Sequence, residues 1–245
     1  MNLTEDIEHL CFDKDGVLID VHAYWRHTTE IRANFLKKEY KLSSNQNIEL
    51  IENMGIDTTL GKIKQNGPIG YKPRKSIIDA VRKTLESFSV EISIQQLEQH
   101  FLIIDKYQQE KNDFNIKILD GVIDFLNDNT NKYIFTIFTS DREKNARRTL
   151  KKFGIYKYFK EVLGGDSVKQ SKPNPEGILK LCSNIKIGAK RTAYISDTSS
   201  DLEMAQNANL PFKIGVLTGL GNREELSENG NVICENLTEL SDYLR

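Results

Sequence analysis

The sequence has little that would mark a highly charged, membrane-spanning or secreted protein. Its 245 residues include 34 Lys and Arg against 35 Asp and Glu, for a net charge of −1, and no run of like charge occurs. This balance argues against a non-specific nucleic-acid binder and against an acidic tail. The longest mostly apolar stretches, such as residues 133–138, are too short to cross a bilayer, and the first residues show no secretory signal pattern. We therefore predict a cytoplasmic protein that binds neither nucleic acid nor a membrane.

Cysteine is also scarce. The three cysteines, Cys11, Cys182 and Cys234, are odd in number, widely spaced and set among apolar residues. Disulfide frameworks and zinc sites need paired or closely spaced cysteines. The sequence therefore predicts three buried, reduced thiols.

The carboxyl-terminal half alternates strand-like segments, rich in β-branched and aromatic residues, with helical segments. Strands separated by helices indicate βαβ units and a parallel sheet. Because the strands are almost continuously apolar, helices are expected on both faces of the sheet. The expected strands lie at residues 7–12, 133–138, 162–164, 192–195, 212–217 and 232–234.

The segment that follows the first expected strand has a different character. Apolar residues recur in it at helical spacing, no convincing buried strand appears, and glycines break its middle into loops. Ser93 and Asp120 are expected helix N-caps. The hydrophobic share of the chain, 38%, fits two modest domains better than one large domain. We predict an α/β core of residues 1–20 and 115–245 with an inserted helical domain of residues 21–114.

The strongest local signal follows the first expected strand, where Asp13 and Asp15 are two residues apart and Gly16 permits a sharp turn. In an open α/β sheet, ligands bind at the carboxyl ends of the strands. Two carboxylates that converge there repel each other unless a cation neutralises them, and Mg²⁺ prefers such oxygen ligands. One carboxylate can then attack a phosphorus atom while the other transfers protons. The competing interpretation is an Asx turn that simply ends the strand.

Three further motifs follow expected strands, in chain order. They are Thr139-Ser140-Asp141, Lys172-Pro173-Asn174-Pro175, and the pair Asp197 and Asp201. Hydroxyls and backbone N–H groups at a strand-to-helix turn form a phosphate cradle, and a lysine offers a compact positive charge to a phosphoryl oxygen. Taken singly, each motif is also explained by helix capping or by a solvated lysine. Capping does not explain why all four motifs occur in order, each at the carboxyl end of an expected parallel strand.

The four motifs resemble those of the haloacid dehalogenase superfamily of phosphohydrolases. The similarity extends over residues 7–244 outside the insertion. Residues 12–25, 172–178 and 215–219 look closest to the phosphoglycolate-phosphatase-like branch with a helical cap of the C1 type. The resemblance implies a Rossmann-like α/β core and an inserted α-helical cap domain.

The resemblance also implies a catalytic pair and a metal site. Asp13 is the expected nucleophile, which forms an aspartyl-phosphate, and Asp15 is the expected acid that protonates the leaving oxygen and then activates water. Mg²⁺ is expected to bind Asp13, the main-chain carbonyl of Asp15 and Asp197, with Asp201 supporting the site. Metal and lysine charges suit the phosphoryl-transfer transition state, whose charge is spread over the equatorial oxygens.

The residues expected to bind the phosphoryl oxygens are Thr139, Ser140 and Lys172. Two positions depart from the common pattern of the superfamily. Ser196 stands where glycine is usual, which is expected to alter backbone approach near the metal, and Lys14 is a variation that the branch tolerates. Neither departure removes an expected ligand.

The inserted domain is expected to act as a mobile cap that excludes water and contacts the leaving group. A cap of this size implies a small soluble phosphomonoester, such as a sugar, polyol, amino-alcohol or glycolate phosphate. We expect a monomer or a homodimer. Eight cap side chains could contact it, although core packing, capping or solvation explains most of them equally well. They are His22, Trp25, Arg26, Lys62, Lys64, Tyr71, Lys72 and Arg74.

Two other functions stay open at this point. A phosphomutase of the same fold would use the same two carboxylates to return the phosphoryl group to a sugar. A catalytically inactive binding module would be expected to have lost at least one motif residue, and none is lost.

Overall fold

The structure, a computed structural model, describes residues 6–111 and 115–244. The described chain divides into two compact units. One comprises residues 6–20 and 118–244, and the other comprises residues 21–117 without 112–114. The predicted domain boundary at residue 114 lies outside the described residues.

Eight strands, ten α-helices and three 3-10 helices of three residues each make up the regular structure of the described residues. The strands are β1 (His9–Phe12), β2 (Ile56–Asp57), β3 (Lys62–Ile63), β4 (Ile134–Phe138), β5 (Phe159–Leu163), β6 (Thr192–Ser196), β7 (Phe212–Val216) and β8 (Val232–Cys234). The helices are α1 (Val21–Glu39), α2 (Ser44–Met54), α3 (Arg74–Ser87), α4 (Ile94–Lys111), α5 (Val122–Asn129), α6 (Glu143–Lys152), α7 (Glu176–Ile185), α8 (Ser199–Asn207), α9 (Arg223–Ser227) and α10 (Leu237–Tyr243). None of the described helices combines the length and the apolarity needed to cross a membrane.

Six parallel strands form the sheet of the first unit, in the order β5-β4-β1-β6-β7-β8. The first strand of the chain therefore lies in the middle, and Phe12 is in register with Ile137 on β4 and Ile195 on β6. Loops that leave adjacent strands on the two sides of such a switch point enclose a crevice. The segments that follow β1, β4 and β6 are brought together there.

The predicted fold class, an α/β fold around a parallel sheet, is confirmed. All six predicted strands are present, with ends displaced by a few residues. Sequence reasoning missed the antiparallel pair β2–β3, because two residues per strand are too few to show a period. The N-cap expected at Ser93 is confirmed, since its Oγ accepts the N–H of Gln96 at 3.2 Å. The one expected at Asp120 is wrong, because α5 begins after Gly121, whose φ of 76° suits glycine.

Aromatic packing holds the carboxyl end of β1. The fully buried ring of Phe12 meets those of Phe125, Phe135 and Phe159 edge-on, with centroids 6.0, 5.5 and 6.0 Å away. Edge-to-face contacts are the favoured geometry for aromatic pairs. This cluster fixes the strand end directly before Asp13.

The three cysteines of the first unit are free and buried, as the sequence predicts. Burial raises the pKa of the Cys11 thiol to about 12. A thiol with so high a pKa stays protonated and unreactive at neutral pH. Cys11 therefore contributes to the core and not to the chemistry.

The second unit is helical, as the sequence predicts for this segment. Four helices, α1 to α4, pack with the β2–β3 hairpin, and Val81 and Leu85 on α3 are fully buried one turn apart. The guanidinium of Arg32 on α1 lies 4.6 Å from the ring centroid of Phe101 on α4 and pairs with Asp105 at 3.1 Å. Apolar packing and this partly buried ion pair together join α1 to α4.

A buried histidine should make the stability of the first unit depend on pH. The ring nitrogens of His9 lie 3.0 Å from Thr192 Oγ1 and 2.7 Å from Thr136 Oγ1, which suits a neutral imidazole with one donor and one acceptor. Burial lowers the pKa of His9 to about 4. In the unfolded chain, the His9 imidazole takes up a proton near pH 6.5, whereas in the folded protein it stays neutral down to about pH 4. The free energy of unfolding should therefore have its full His9 contribution above pH 6.5 and fall by about 3 kcal/mol as the pH drops to 4.

Urea denaturation of the wild type and of His9→Gln between pH 8 and pH 4 measures this contribution. The free-energy difference between the two proteins should shrink as the pH falls through this window. A difference that stays constant over the window would contradict the assignment. The test uses the change of this free-energy difference with pH. A loss of stability in the variant that is the same at every pH therefore does not affect the result.

Candidate active site

The loop after β1 holds the first pair of carboxylates. The N–H of Asp13 donates to the carbonyl of Ile195 on β6 at 2.9 Å, so the sheet ladder itself positions this residue. Gly16 has a left-handed conformation, with φ 79°, and its N–H donates to the carbonyl of Ile19 at 2.8 Å. Asp13 is buried, whereas the side chain of Asp15 is 42% exposed. The tight turn thus places the two carboxylates in different surroundings.

Lys172 brings the third motif to Asp13. Its buried Nζ donates to Oδ1 of Asp13 at 2.7 Å and to Oδ2 of Asp201 at 2.6 Å. Burial raises the pKa of Asp13 to about 6, although Lys172 opposes this shift. Burial alone would lower the pKa of Lys172, but attraction to the two carboxylates raises it above its ordinary value. The ammonium group therefore stays charged between the carboxylates.

Two further residues complete the surroundings of Asp201: Tyr194, which sequence reasoning missed, and Ser196, which it noted only as a departure from glycine. Its Oδ2 accepts hydrogen bonds from Ser196 Oγ at 2.9 Å and from the Tyr194 hydroxyl at 3.2 Å, in addition to Lys172. The serine at the usual glycine position thus acts through its side chain, beyond the expected effect on backbone approach. Alternation along β6 could have signalled this, since residues two apart on a strand share one face.

Asp197 follows β6 and is enclosed by two glycines. A side chain at either Gly16 or Gly219 would collide with its carboxylate, so only glycine allows this approach. Its Oδ2 accepts the N–H of Leu220 at 2.8 Å, and burial and repulsion from Asp13 raise its pKa well above the ordinary value. In residues 6–111 and 115–244, no lysine or arginine lies within salt-bridge distance of Asp197.

The second motif occupies the end of β4. Thr139 is buried there, and its Oγ1 accepts the N–H of Asp141 at 3.2 Å, whereas Ser140 is exposed. Helix capping, the alternative explanation of this motif by Ser140 or Asp141, is wrong, because the N-cap of α6 is Arg142. The N–H of Glu143, the first residue of α6, donates instead to Asp166 at 2.8 Å. The motif therefore forms the turn that leads into α6, whose N-cap position is Arg142 and not a residue of the motif.

The structure brings most of the predicted site residues to one edge of the sheet. Asp13 is hydrogen-bonded to Lys172 and is near enough to Asp197 for their charges to interact. Asp15 is bonded elsewhere, since Lys14 Nζ donates to its two carboxylate oxygens at 2.5 and 2.6 Å. This lysine was seen in the sequence only as a tolerated variation.

The oxygen donors of this edge suit a divalent cation. Asp13 and Asp197 are buried and repel each other. Of these two carboxylates, only Asp13 has a lysine partner among the described residues. In that part of the chain, no three His, Cys, Asp or Glu side chains come together as a metal-binding group. Mg²⁺ does not need three, because it commonly keeps several waters and binds only one or two carboxylates. Two carboxylates and the expected carbonyl of Asp15 therefore fit Mg²⁺.

Comparison with known families agrees with this geometry. A family model described as haloacid dehalogenase-like hydrolase matches residues 10–214. The chain belongs to the haloacid dehalogenase-like hydrolase family. The matched span begins within β1, ends within β7 and includes all four motifs.

Relatives of similar length carry phosphatase names, which bears out the predicted phosphoglycolate-phosphatase-like branch and phosphoric monoester hydrolase class. A phosphorylated carbohydrates phosphatase of Thermotoga maritima is 24% identical over 98% of this chain and 99% of its own. A phosphoglycolate phosphatase of Shigella boydii is 23% identical over 98% of this chain and 93% of its own. Several other curated phosphatases align over less than half of their length.

A solved structure supports the fold independently. The protein named as a β-phosphoglucomutase of Thermotoga maritima superimposes with a TM-score of 0.69 over 97% of this chain and 98% of its own, at 20% identity. At that identity the likeness shows the fold alone. It extends over both the α/β core and the helical segment of the haloacid dehalogenase-like chain.

Proposed function

We propose that this protein is a Mg²⁺-dependent phosphatase that hydrolyses a small soluble phosphomonoester through an aspartyl-phosphate on Asp13. The observation that carries the proposal is the arrangement around Asp13. The ammonium of Lys172 is bonded to it, and the buried carboxylate of Asp197, which has no lysine or arginine partner among the described residues, is near by. A phosphomonoester brings two negative charges to this edge of the sheet. It therefore needs cations there, and Lys172 is one of them.

The residues divide the chemistry between them. Asp13 attacks phosphorus and displaces the alcohol, while Asp15 gives the leaving oxygen a proton and afterwards takes one from the water that hydrolyses the aspartyl-phosphate. Lys172 and Thr139 hold phosphoryl oxygens, with Ser140 at the same turn. Asp201 holds Lys172 in place through its bond to Nζ.

Asp13, Asp197 and the main-chain carbonyl of Asp15 would hold Mg²⁺, with Asp201 supporting the arrangement through Lys172. When bound, the ion supplies positive charge to the phosphoryl oxygens and relieves the repulsion between the buried carboxylates. We further propose that the helical unit is a cap that excludes water during the reaction. The names of the relatives point to sugar phosphates and phosphoglycolate as first candidates for the substrate.

A phosphomonoester panel tests the proposal, with phosphoglycolate, glucose 6-phosphate, glucose 1-phosphate, glycerol phosphate and phosphoethanolamine as probes. Phosphate release should require Mg²⁺, fall to background in EDTA and return when Mg²⁺ is restored. Activity that persists after EDTA treatment would refute the metal requirement. Product analysis by ³¹P NMR covers the alternative, because isomerised sugar phosphate without free phosphate would identify a phosphomutase.

A further inference from the structure

Lys14 is a buried lysine inside the catalytic loop. Its side chain is 5% exposed, and its carbonyl accepts the N–H groups of Leu18 and Ile19, both at 3.0 Å. These bonds fix the backbone of the residue between Asp13 and Asp15. The position of the ammonium group is therefore determined by the hydrogen-bonded turn and by burial. A solvated lysine on the surface would lack both constraints.

The ammonium group of Lys14 is fully engaged with carboxylates. It lies 2.5 and 2.6 Å from the two oxygens of Asp15 and 3.8 Å from Oδ2 of Asp141, which belongs to the turn after β4. Lys14 thus ties the loop that carries Asp15 to the neighbouring loop. Without Lys14, the half-exposed carboxylate of Asp15 would have no lysine or arginine within salt-bridge distance in the described part of the chain.

Two lysines share the carboxylates of this sheet edge. Lys172 serves Asp13 and Asp201, and Lys14 serves Asp15 and Asp141. The nucleophile and the proposed acid are consequently held by different cations, one on each side of the turn. An alkyl leaving group departs only if the acid is oriented toward it, whereas phosphoryl binding depends on the other lysine.

We propose that Lys14 is a positioning residue for Asp15: it orients the Asp15 carboxyl group, which in its protonated form gives its proton to the leaving oxygen and is left as the carboxylate. The inference rests on the proposed function, because it assigns Lys14 to the proton-transfer half of that chemistry. It predicts a defect confined to leaving groups that need a proton. A lysine that merely stabilised the loop would affect all substrates alike.

The test compares kcat/KM for two kinds of ester, because this ratio reports the steps up to departure of the leaving group. One probe is the alkyl phosphate of the panel with the highest turnover. The other is 2,4-dinitrophenyl phosphate, whose leaving group departs as a stable anion. In Lys14→Met, which keeps an unbranched side chain, the alkyl ester should lose about tenfold or more, a part of the 10²–10⁴-fold effect typical of general acid catalysis. The dinitrophenyl ester should change less than about twofold.

Asp15→Asn and the double variant separate this inference from the proposed function. Asp15→Asn should show a larger alkyl-specific loss, and Lys14→Met should add nothing to it. If Asp15→Asn shows no alkyl-specific loss, the assigned role of Asp15 fails. If Asp15→Asn does show an alkyl-specific loss, three results would overturn the inference about Lys14. They are an equal loss of kcat/KM for both esters in Lys14→Met, no loss in that variant, and a further tenfold loss when Lys14→Met is added to Asp15→Asn.

Lys180→Met is the matched control. Lys180 lies on α7 in the same unit, is exposed and donates to the carbonyl of Ser167 at 2.8 Å. It has no recorded contact with the carboxylates of the site. This variant should retain wild-type kcat/KM for both esters.

Discussion

Asp13→Asn should lower kcat by at least about 10⁴-fold, the scale of loss when a nucleophile that acts as part of a unit is removed. An amide keeps the size of the side chain but cannot form the aspartyl-phosphate. The variant should still fold, because Lys172 keeps its bond to Asp201 and because the negative charge that is lost is one that burial disfavours: burial raises the pKa of Asp13 to about 6. Removing that buried charge eases its repulsion with Asp197. Steady-state turnover of the best panel substrate, alongside thermal unfolding in EDTA, measures both effects.

Asp128→Asn is the control for this substitution. Asp128 is exposed on α5 of the same unit, and its loss should leave turnover unchanged. Retention of more than about a hundredth of wild-type kcat in Asp13→Asn would remove Asp13 from the role of nucleophile. A loss of activity accompanied by unfolding would show instead that the residue is needed for the structure, so the thermal measurement decides which conclusion applies.

The convergence of the site residues could be predicted from the sequence, because this convergence depends on one rule of topology. Parallel strands end at the same edge of a sheet, so residues that follow β1, β4 and β6 had to meet if those strands were neighbours. Asp13, Thr139 and Asp197 follow them directly. Local composition marked each strand clearly, since the segments are apolar and rich in β-branched or aromatic residues.

Partnerships across the sheet were harder to predict. The pairing of His9 with Thr136 and Thr192 requires β1 to lie between β4 and β6, and the order of strands cannot be read from local pattern. Lys14 was equally inconspicuous, because a lysine between two aspartates is expected to be solvated unless the turn buries it. The N-cap of α5 is Gly121 and not the predicted Asp120, because the chain enters that helix with a positive φ, which favours glycine.

Lys172→Met should reduce both activity and stability, and the two losses have a common origin. The ammonium group is the only cation within salt-bridge distance of Asp13 and Asp201 in the described part of the chain. Removing one partner of a buried ion pair typically costs about 3–5 kcal/mol, because the remaining charge is left uncompensated. Urea denaturation in EDTA should therefore show a loss of this size, whereas Lys180→Met should show almost none.

The activity of Lys172→Met separates binding of the phosphoryl group from mere stability of the fold. Loss of a charged donor to the developing charge should lower kcat/KM about 10²–10³-fold at temperatures where the variant is folded. Inhibition by inorganic phosphate should weaken as well, because the product offers the same oxygens to the lysine. Unchanged phosphate inhibition beside a large loss of stability would limit Lys172 to neutralising Asp13 and Asp201. Weaker inhibition would place the charge of Lys172 on the phosphoryl group. Asp201 would then orient the ammonium group, and Ser196 and Tyr194 would in turn hold the Asp201 carboxylate.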